Sequence, residues 1–247
     1  MSKEYAIEID GLSVNYGKKR VLTNIHMDLP KGQIYGVIGP NGAGKSTLFK
    51  SILGLIEYNS GTIKVFGEKV EQARKKIAYL PQKDEIDWQF PATVYDIVMM
   101  GRYPFKSLFS RLDKEDLAIA AEAMDQMGIT DLKDRQIGAL SGGQQQRVFL
   151  ARALTQKAEL FFFDEPFVGV DITTEHRMIE IMRDLAEKGK TLIVVHHDLS
   201  TVEEYFDQVI MLNQRLIACG VTKEVFIPSK ISETYRSQLT ILQQIGT

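Results

Sequence analysis

Apolar residues along this chain follow a period of two, then one near 3.6, then two again, and these periods predict its elements. Tyr5, Ile7 and Ile9, then Leu12 and Val14, alternate with polar residues, predicting an early strand pair over 5–14 that ends at Tyr16-Gly17. Leu22, Ile25, Met27 and Leu29 predict a further strand over Val21–Leu29, and Pro30-Lys31-Gly32 turns it into an apolar strand, Gln33–Ile38. A helix begins at Ser46–Leu53, and short strands follow at Thr62–Phe66 and Ile77–Leu80, the latter stopped by Pro81-Gln82. From Thr93 to Gly128 the period is helical. Thr93–Met100 forms one helix, and Asp113 caps another with Leu117, Ala121 and Met124 on its apolar face, ended by Gly128. Ser141 caps a third helix over Gln145–Leu154. Then come a buried strand (Leu160–Glu165), a helix (Thr173–Lys188, closed by Gly189), a strand (Thr191–Val195) and a hairpin of Val209–Leu212 with Arg215–Ala218. A polar, partly amphipathic tail runs to Thr247. Strands alternating with helices indicate an α/β fold.

Composition narrows this little. At 247 residues, 44% hydrophobic and 25% charged, the chain has ample material for a core and suits one large α/β domain, or one with an inserted subdomain. A net charge of −2 gives no support to nucleic-acid binding. The single cysteine, Cys219, excludes an internal disulfide and reads as a small buried apolar residue in a reducing cytoplasm. Met1-Ser-Lys-Glu-Tyr5 has no long apolar run, so no signal peptide is expected, and no apolar run is long enough to span a bilayer.

The chemistry centres on Gly39-Pro40-Asn41-Gly42-Ala43-Gly44-Lys45-Ser46-Thr47, which fits the phosphate-loop pattern between a buried strand and a helix start. Gly42 and Gly44 let successive N–H groups turn inward on a polyphosphate, and the helix N-terminus adds its partial positive charge. Lys45 would reach the β- and γ-phosphates and the Ser46 hydroxyl would hold Mg²⁺. A second anion-binding device lies at Ser141-Gly142-Gly143-Gln144, where two glycines open a helix behind its cap. Two such devices for one nucleotide suggest a site completed by a second copy of the chain.

Strand ends supply the remaining candidates, since ligands of open α/β sheets bind at carboxyl ends. Asp164 could hold Mg²⁺ through its water shell, while Glu165 would face the γ-phosphate and polarise an attacking water. Gln82 could coordinate Mg²⁺ or water. One of His196 and His197 would face the phosphates. Tyr16 either stacks on a base or is an ordinary strand-end tyrosine. Lys83–Asp87 reads as a solvated loop rather than a metal site, and His26 and His176 as structural. Trp88, Phe90, Tyr103, Phe105, Leu108 and Phe109 form either a partner-docking surface or the core of a helical subdomain. Met99, Met100, Met124 and Met127 read as packing residues.

With these residues in order, the chain resembles the ATP-binding subunit of an ABC transporter over about residues 5–225. The Leu140-Ser-Gly-Gly-Gln144 signature is specific to that family, and the loop 39–47, Gln82, strand 160–165, Asp171 and His197 share its order and spacing. The resemblance implies a phosphate-loop, RecA-like core with an N-terminal antiparallel β subdomain and an inserted α-helical subdomain at about 86–157, all one domain, with a tail at about 227–247. It makes Tyr16 the adenine-stacking aromatic, Gln82 the lid glutamine touching Mg²⁺, and His197 the γ-phosphate sensor, with His196 in the preceding threonine-like place. Asp171 joins the nucleotide-binding set, and Glu165 becomes general base or water-orienting carboxylate. The implied cofactors are ATP and Mg²⁺. The implied partners are a second copy closing head-to-tail over two ATP molecules, membrane-spanning permease subunits, and indirectly an extracytoplasmic substrate-binding protein. The implied place is the cytoplasmic face of the cell membrane.

Tyr79–Tyr103, with Asp87-Trp88-x-Phe90-Pro91, and the pair His196-His197 are similar to subunits of bacterial manganese, zinc and iron importers. Gly101-Arg102-Tyr103-Pro104 is shared with siderophore and haem importers, the nearest alternative. A soluble ABC-type ATPase is the other: the gap between loop and signature is too short for a repair protein's coiled coil, and one nucleotide domain does not make a translation factor, which leaves cluster assembly open.

Overall fold

A computed structural model describes residues 4–106 and 111–235. The aromatic and aliphatic candidates Phe109 and Leu108, and the tail from residue 236, lie outside the described residues. In chain order come strands β1 (Tyr5–Tyr16), β2 (Lys19–Pro30) and β3 (Ile34–Ile38), then helix α1 (Lys45–Ile52), β4 (Ser60–Val65) and the short α2 (Val70–Ala73). Next are β5 (Ile77–Leu80), α3 (Val94–Met100), α4 (Lys114–Gln126), α5 (Gly142–Thr155), β6 (Leu160–Asp164) and α6 (Ile172–Glu187). β7 (Thr191–Val195), α7 (Val202–Tyr205), β8 (Gln208–Leu212), β9 (Leu216–Val221) and α8 (Thr222–Val225) complete the labelled elements. They fall in two compact units, Met1–Arg74 with Arg183–Thr247, and Lys75–Met182.

The first unit holds an antiparallel sheet in the order β2-β1-β4 and a set of strands β7-β3-β8-β9. The expected early strand pair over 5–14 is instead the single strand β1. Its apolar positions switch from odd (Ile7, Ile9) to even (Leu12, Val14), which a regular strand would split between two faces. An irregularity between Ile9 and Leu12, with Gly11 at φ 65°, resets the alternation so that all four stay buried. β2 makes the matching correction between Leu22 and Ile25, with Asn24 at φ 50°. β3 and β7 are buried at every position, and β3 pairs in parallel with both β7 and β8. Buried on both faces, they read as continuous apolar runs rather than alternating ones. Cys219 on β9 is half-buried rather than buried, with its thiol pushed up to about 11, chiefly by desolvation.

The second unit pairs β5 and β6 in parallel and carries α3, α4 and α5. Thr93 and Asp113 cap α3 and α4 with reciprocal capping boxes. On α4 the buried face differs from the expected one. Leu117 and Ala121 point outward, while Asp116, Ile119, Ala120, Ala123 and Met124 are buried. The stripe was obscured because a charged residue occupies one of its positions. Asp116 Oδ1 accepts from Arg102 Nε at 2.9 Å, and Asp116 Oδ2 lies 2.6 Å from Lys106 Nζ. Arg102 Nη1 also donates to the Thr155 carbonyl at 2.7 Å, so one guanidinium ties the end of α3 to α4 and α5. Met99, Met124 and Met127 are buried as expected, and Met100 is half-buried.

Burial alone would raise the Asp116 carboxyl, but Lys106, the Asp113 N–H and Arg102 outweigh it and hold it well below the usual carboxylate range. A depressed folded value stabilises fully above the unfolded value of about 4 and less as pH falls through the folded one. Asp116→Asn should therefore lower the thermal midpoint by several degrees between about pH 6 and 8, with the gap from wild type closing on acidification below about pH 4. A pH-independent gap would contradict the charge-pair account.

Candidate functional site

In the first unit, the phosphate loop leaves the carboxyl end of β3. Gly39, Gly42 and Gly44 take φ values of 157°, 78° and 97°. A Cβ on Gly39 would lie 2.0 Å from the Leu212 carbonyl oxygen, so the close approach of β8 forbids a side chain there. The loop is held from behind by the Gln214 N–H donating to the Ala43 carbonyl at 2.8 Å. Buried Lys45 donates to the carbonyls of Gly39 at 2.8 Å and Pro40 at 3.2 Å, drawing its ammonium across the loop. Asn41 and Gly42 are exposed at the tip, Ser46 is half-buried at the start of α1, and Thr47 is buried behind it. Backbone turns with positive φ beside a helix start form a concave set of N–H donors, which suits a polyphosphate.

β7 lies beside β3, and the His196 N–H donates to the Val37 carbonyl at 3.1 Å, bringing the histidine pair level with the start of the loop. The two histidines part here. His196 turns inward, its Nε2 2.7 Å from Thr201 Oγ1 and its ring edge-on to Phe206 at 5.2 Å. Burial pushes its pKa below the ordinary value, so the ring is held neutral. His197 is exposed. Tyr16, at the end of β1 opposite Lys19, is 52% exposed, as a stacking platform requires.

In the second unit, the parallel ends of β5 and β6 bring two candidates together across 83 residues of sequence. Gln82 Nε2 donates to Glu165 Oε2 at 3.0 Å. Glu165 has φ 54°, a left-handed conformation that a non-glycine residue adopts at a cost and that clusters at functional sites. Asp164, the last residue of β6, is 1% exposed. The Tyr79 hydroxyl on β5 is pushed far up, first by burial and then by the charges of Asp164 and Glu85.

The signature residues open α5. Ser141 Oγ accepts from the Gln144 N–H at 3.4 Å, and Gln144 Oε1 accepts from the Ser141 N–H at 2.9 Å. Gly142 and Gly143 form the first turn, half-buried. Asp171 accepts from the Thr174 N–H at 2.9 Å and from its hydroxyl at 2.7 Å, which holds its carboxyl below the usual range, so it caps the start of α6.

Of the six aromatic-cluster candidates, Phe90, Tyr103 and Phe105 are exposed. Trp88 instead packs edge-on against Phe149 of α5 at 5.3 Å and donates to the Lys83 carbonyl at 2.9 Å. Lys83–Glu85 form a short helical turn beside this tryptophan, and Asp84, Glu85 and Asp87 are exposed, as expected of a solvated stretch. The Gln82–Glu165 bond and the Lys83–Trp88 anchor escaped the sequence reading. The only signal was Lys83 following Gln82 directly.

A glycine loop between a buried parallel strand and a helix defines a phosphate-loop nucleotide-binding protein. Residues 22–168 match the family model described as ABC transporter. The chain is 51% identical to the manganese transport system ATP-binding protein MntB of Halalkalibacterium halodurans, covering 94% of this chain and 93% of that one. It is 48% identical to the zinc transport system ATP-binding protein TroB of Treponema pallidum, over 96% of this chain and 89% of that one. Among solved structures it is similar to cbiO1 of Clostridium perfringens, part of the ABC transporter complex cbiONQ. That likeness has a TM-score of 0.79 and 27% identity, covering 98% and 99% of the two chains. The chain belongs to the ABC transporter family, and it is an ATP-binding, ATP-hydrolysing subunit of that class.

Gly39→Ala, which drives a methyl group into the Leu212 carbonyl, should weaken ATP binding about tenfold or more in a fluorescent-nucleotide titration. Wild-type affinity in a folded variant would mean that the loop does not set binding.

Proposed function

We propose that this ATPase powers import of a divalent metal ion, manganese or zinc, through separate permease subunits at the cytoplasmic face of the membrane. The observation carrying this is that relatives sharing about half its residues over nearly their whole length are named for manganese and zinc transport. Among the described residues no helix is long and apolar enough to cross a membrane. Phe90, Tyr103 and Phe105, exposed on the helical segment of about 86–157, suit contact with a permease.

In this reading two copies close head-to-tail over two ATP molecules. Each ATP lies between the loop 39–47 of one copy and Ser141-Gly142-Gly143-Gln144 of the other, with Asp171 beside the latter. Tyr16 stacks on adenine and His197 contacts the γ-phosphate. Glu165 orients or deprotonates the attacking water, and Gln82, hydrogen-bonded to it, carries the state of the site to the permease. At the ends of β5 and β6, Gln82 and buried Asp164 offer hard oxygen donors, and Asp164 is a carboxylate that a cation would stabilise, so they suit Mg²⁺; the Ser46 hydroxyl at the start of α1 is a donor of the same kind. When bound, the ion would neutralise charge on the phosphates.

Glu165→Gln should retain ATP binding and slow hydrolysis by about 10²–10⁴ while trapping an ATP-bound dimer; a rate within a few-fold of wild type would remove Glu165 from the role. For the cargo, cells lacking the protein should lose manganese or zinc uptake, restored by the intact gene and not by a Lys45→Ala copy. Normal uptake of manganese, zinc and iron would overturn the metal reading and favour siderophore import or a non-transport ATPase.

A further inference from the structure

Lys83 follows Gln82 and belongs to none of the motifs described above. Its ammonium nevertheless lies at the first turn of the signature helix. A Cβ built on Gly142 would be 2.7 Å from Lys83 Nζ, and one built on Gly169 would be 3.8 Å from it. The amine therefore lies against the Gly142 backbone, in the space a side chain there would share with it. Its backbone is fixed there: the Lys83 carbonyl accepts from Trp88 Nε1 at 2.9 Å, and the Trp88 ring is seated on Phe149 of the same helix. Among the described residues the ammonium has no hydrogen-bond or ion-pair partner. At the helix start an Asp171 oxygen lies 3.8 Å from where a Cβ on Gly143 would be, and the Asp171 oxygens accept from Thr174.

A cation at the start of a helix faces the positive end of the helix dipole, an unfavourable place unless an anion joins both. Half-buried placement strengthens that repulsion relative to open solvent. The positive end of the helix and the unpaired ammonium thus share one complementary ligand, a multiply charged phosphate. We infer that Lys83 is a binding residue for the triphosphate presented by a second copy of the chain, adding a charged donor to Ser141-Gly142-Gly143-Gln144. This rests on the head-to-tail reading above, and it puts a nucleotide-contacting group directly beside Gln82.

The test uses the full chain in the Glu165→Gln background, with ATP as the probe and dimer formation read by analytical ultracentrifugation across protein concentration and salt. Lys83→Met should raise the concentration for half-dimerisation about tenfold, Lys83→Arg should restore it, and Lys83→Met should flatten the salt dependence. ATP affinity of the single copy should stay within error and the nucleotide-free thermal midpoint should not fall, separating a lost phosphate contact from a lost fold. Wild-type dimerisation by Lys83→Met, or equal loss in Lys83→Met and Lys83→Arg, would overturn the inference while leaving the head-to-tail reading intact. Glu165→Gln protein that stays monomeric at every ATP concentration would overturn both.

Discussion

Parallel pairing between strands buried on both faces is the constraint on which the rest depends. Nothing along β3 or β7 reaches solvent, so these strands cannot carry chemistry along their length. Polar function is pushed to the strand ends, and parallel pairing brings those ends to one level. In the first unit this sets the loop after β3 beside His196 and His197 after β7. In the second it sets Gln82 after β5 within hydrogen-bonding distance of Glu165 after β6. Residues far apart in sequence thus become neighbours because the strands that carry them pair.

Backbone conformation does the rest of the positioning. The loop at 39–47 works because glycines accept positive φ and because the Gly39 backbone passes against the Leu212 carbonyl, where a side chain has no room. Glu165 accepts a left-handed conformation with its Cβ present, a cost the surrounding strand end must hold in place. At the signature, Ser141 and Gln144 lock each other in a capping box, which fixes the start of α5. Each device directs N–H donors or a carboxylate to a defined point instead of relying on mobile side chains.

In the helical segment the organising contact is ionic. Arg102 joins α3, α4 and the end of α5 through Asp116 and the Thr155 carbonyl, and Lys106 completes the cluster. The same arginine packs its guanidinium over Phe105 at 4.8 Å, fixing the chain next to the exposed aromatics. Trp88 holds the turn after Gln82 against α5, so the segment bearing the glutamine and the helix bearing the signature are one packed body.

The sequence alone determined the element order, the loop, the signature and the strand-end carboxylates, because each follows from local rules: periodicity, glycine placement and capping act over a few residues. It also separated His197 from His196 only through family resemblance; the burial of His196 against Phe206 is a tertiary fact. Three further features belonged to the tertiary structure. The odd-to-even switch in β1 looked like two strands because an inserted residue and a turn disturb alternation in the same way. The buried face of α4 was misread because a paired Asp116 is indistinguishable in sequence from a solvated one. The places of Trp88 and Lys83 depend on which helix a loop packs against, which no local rule encodes.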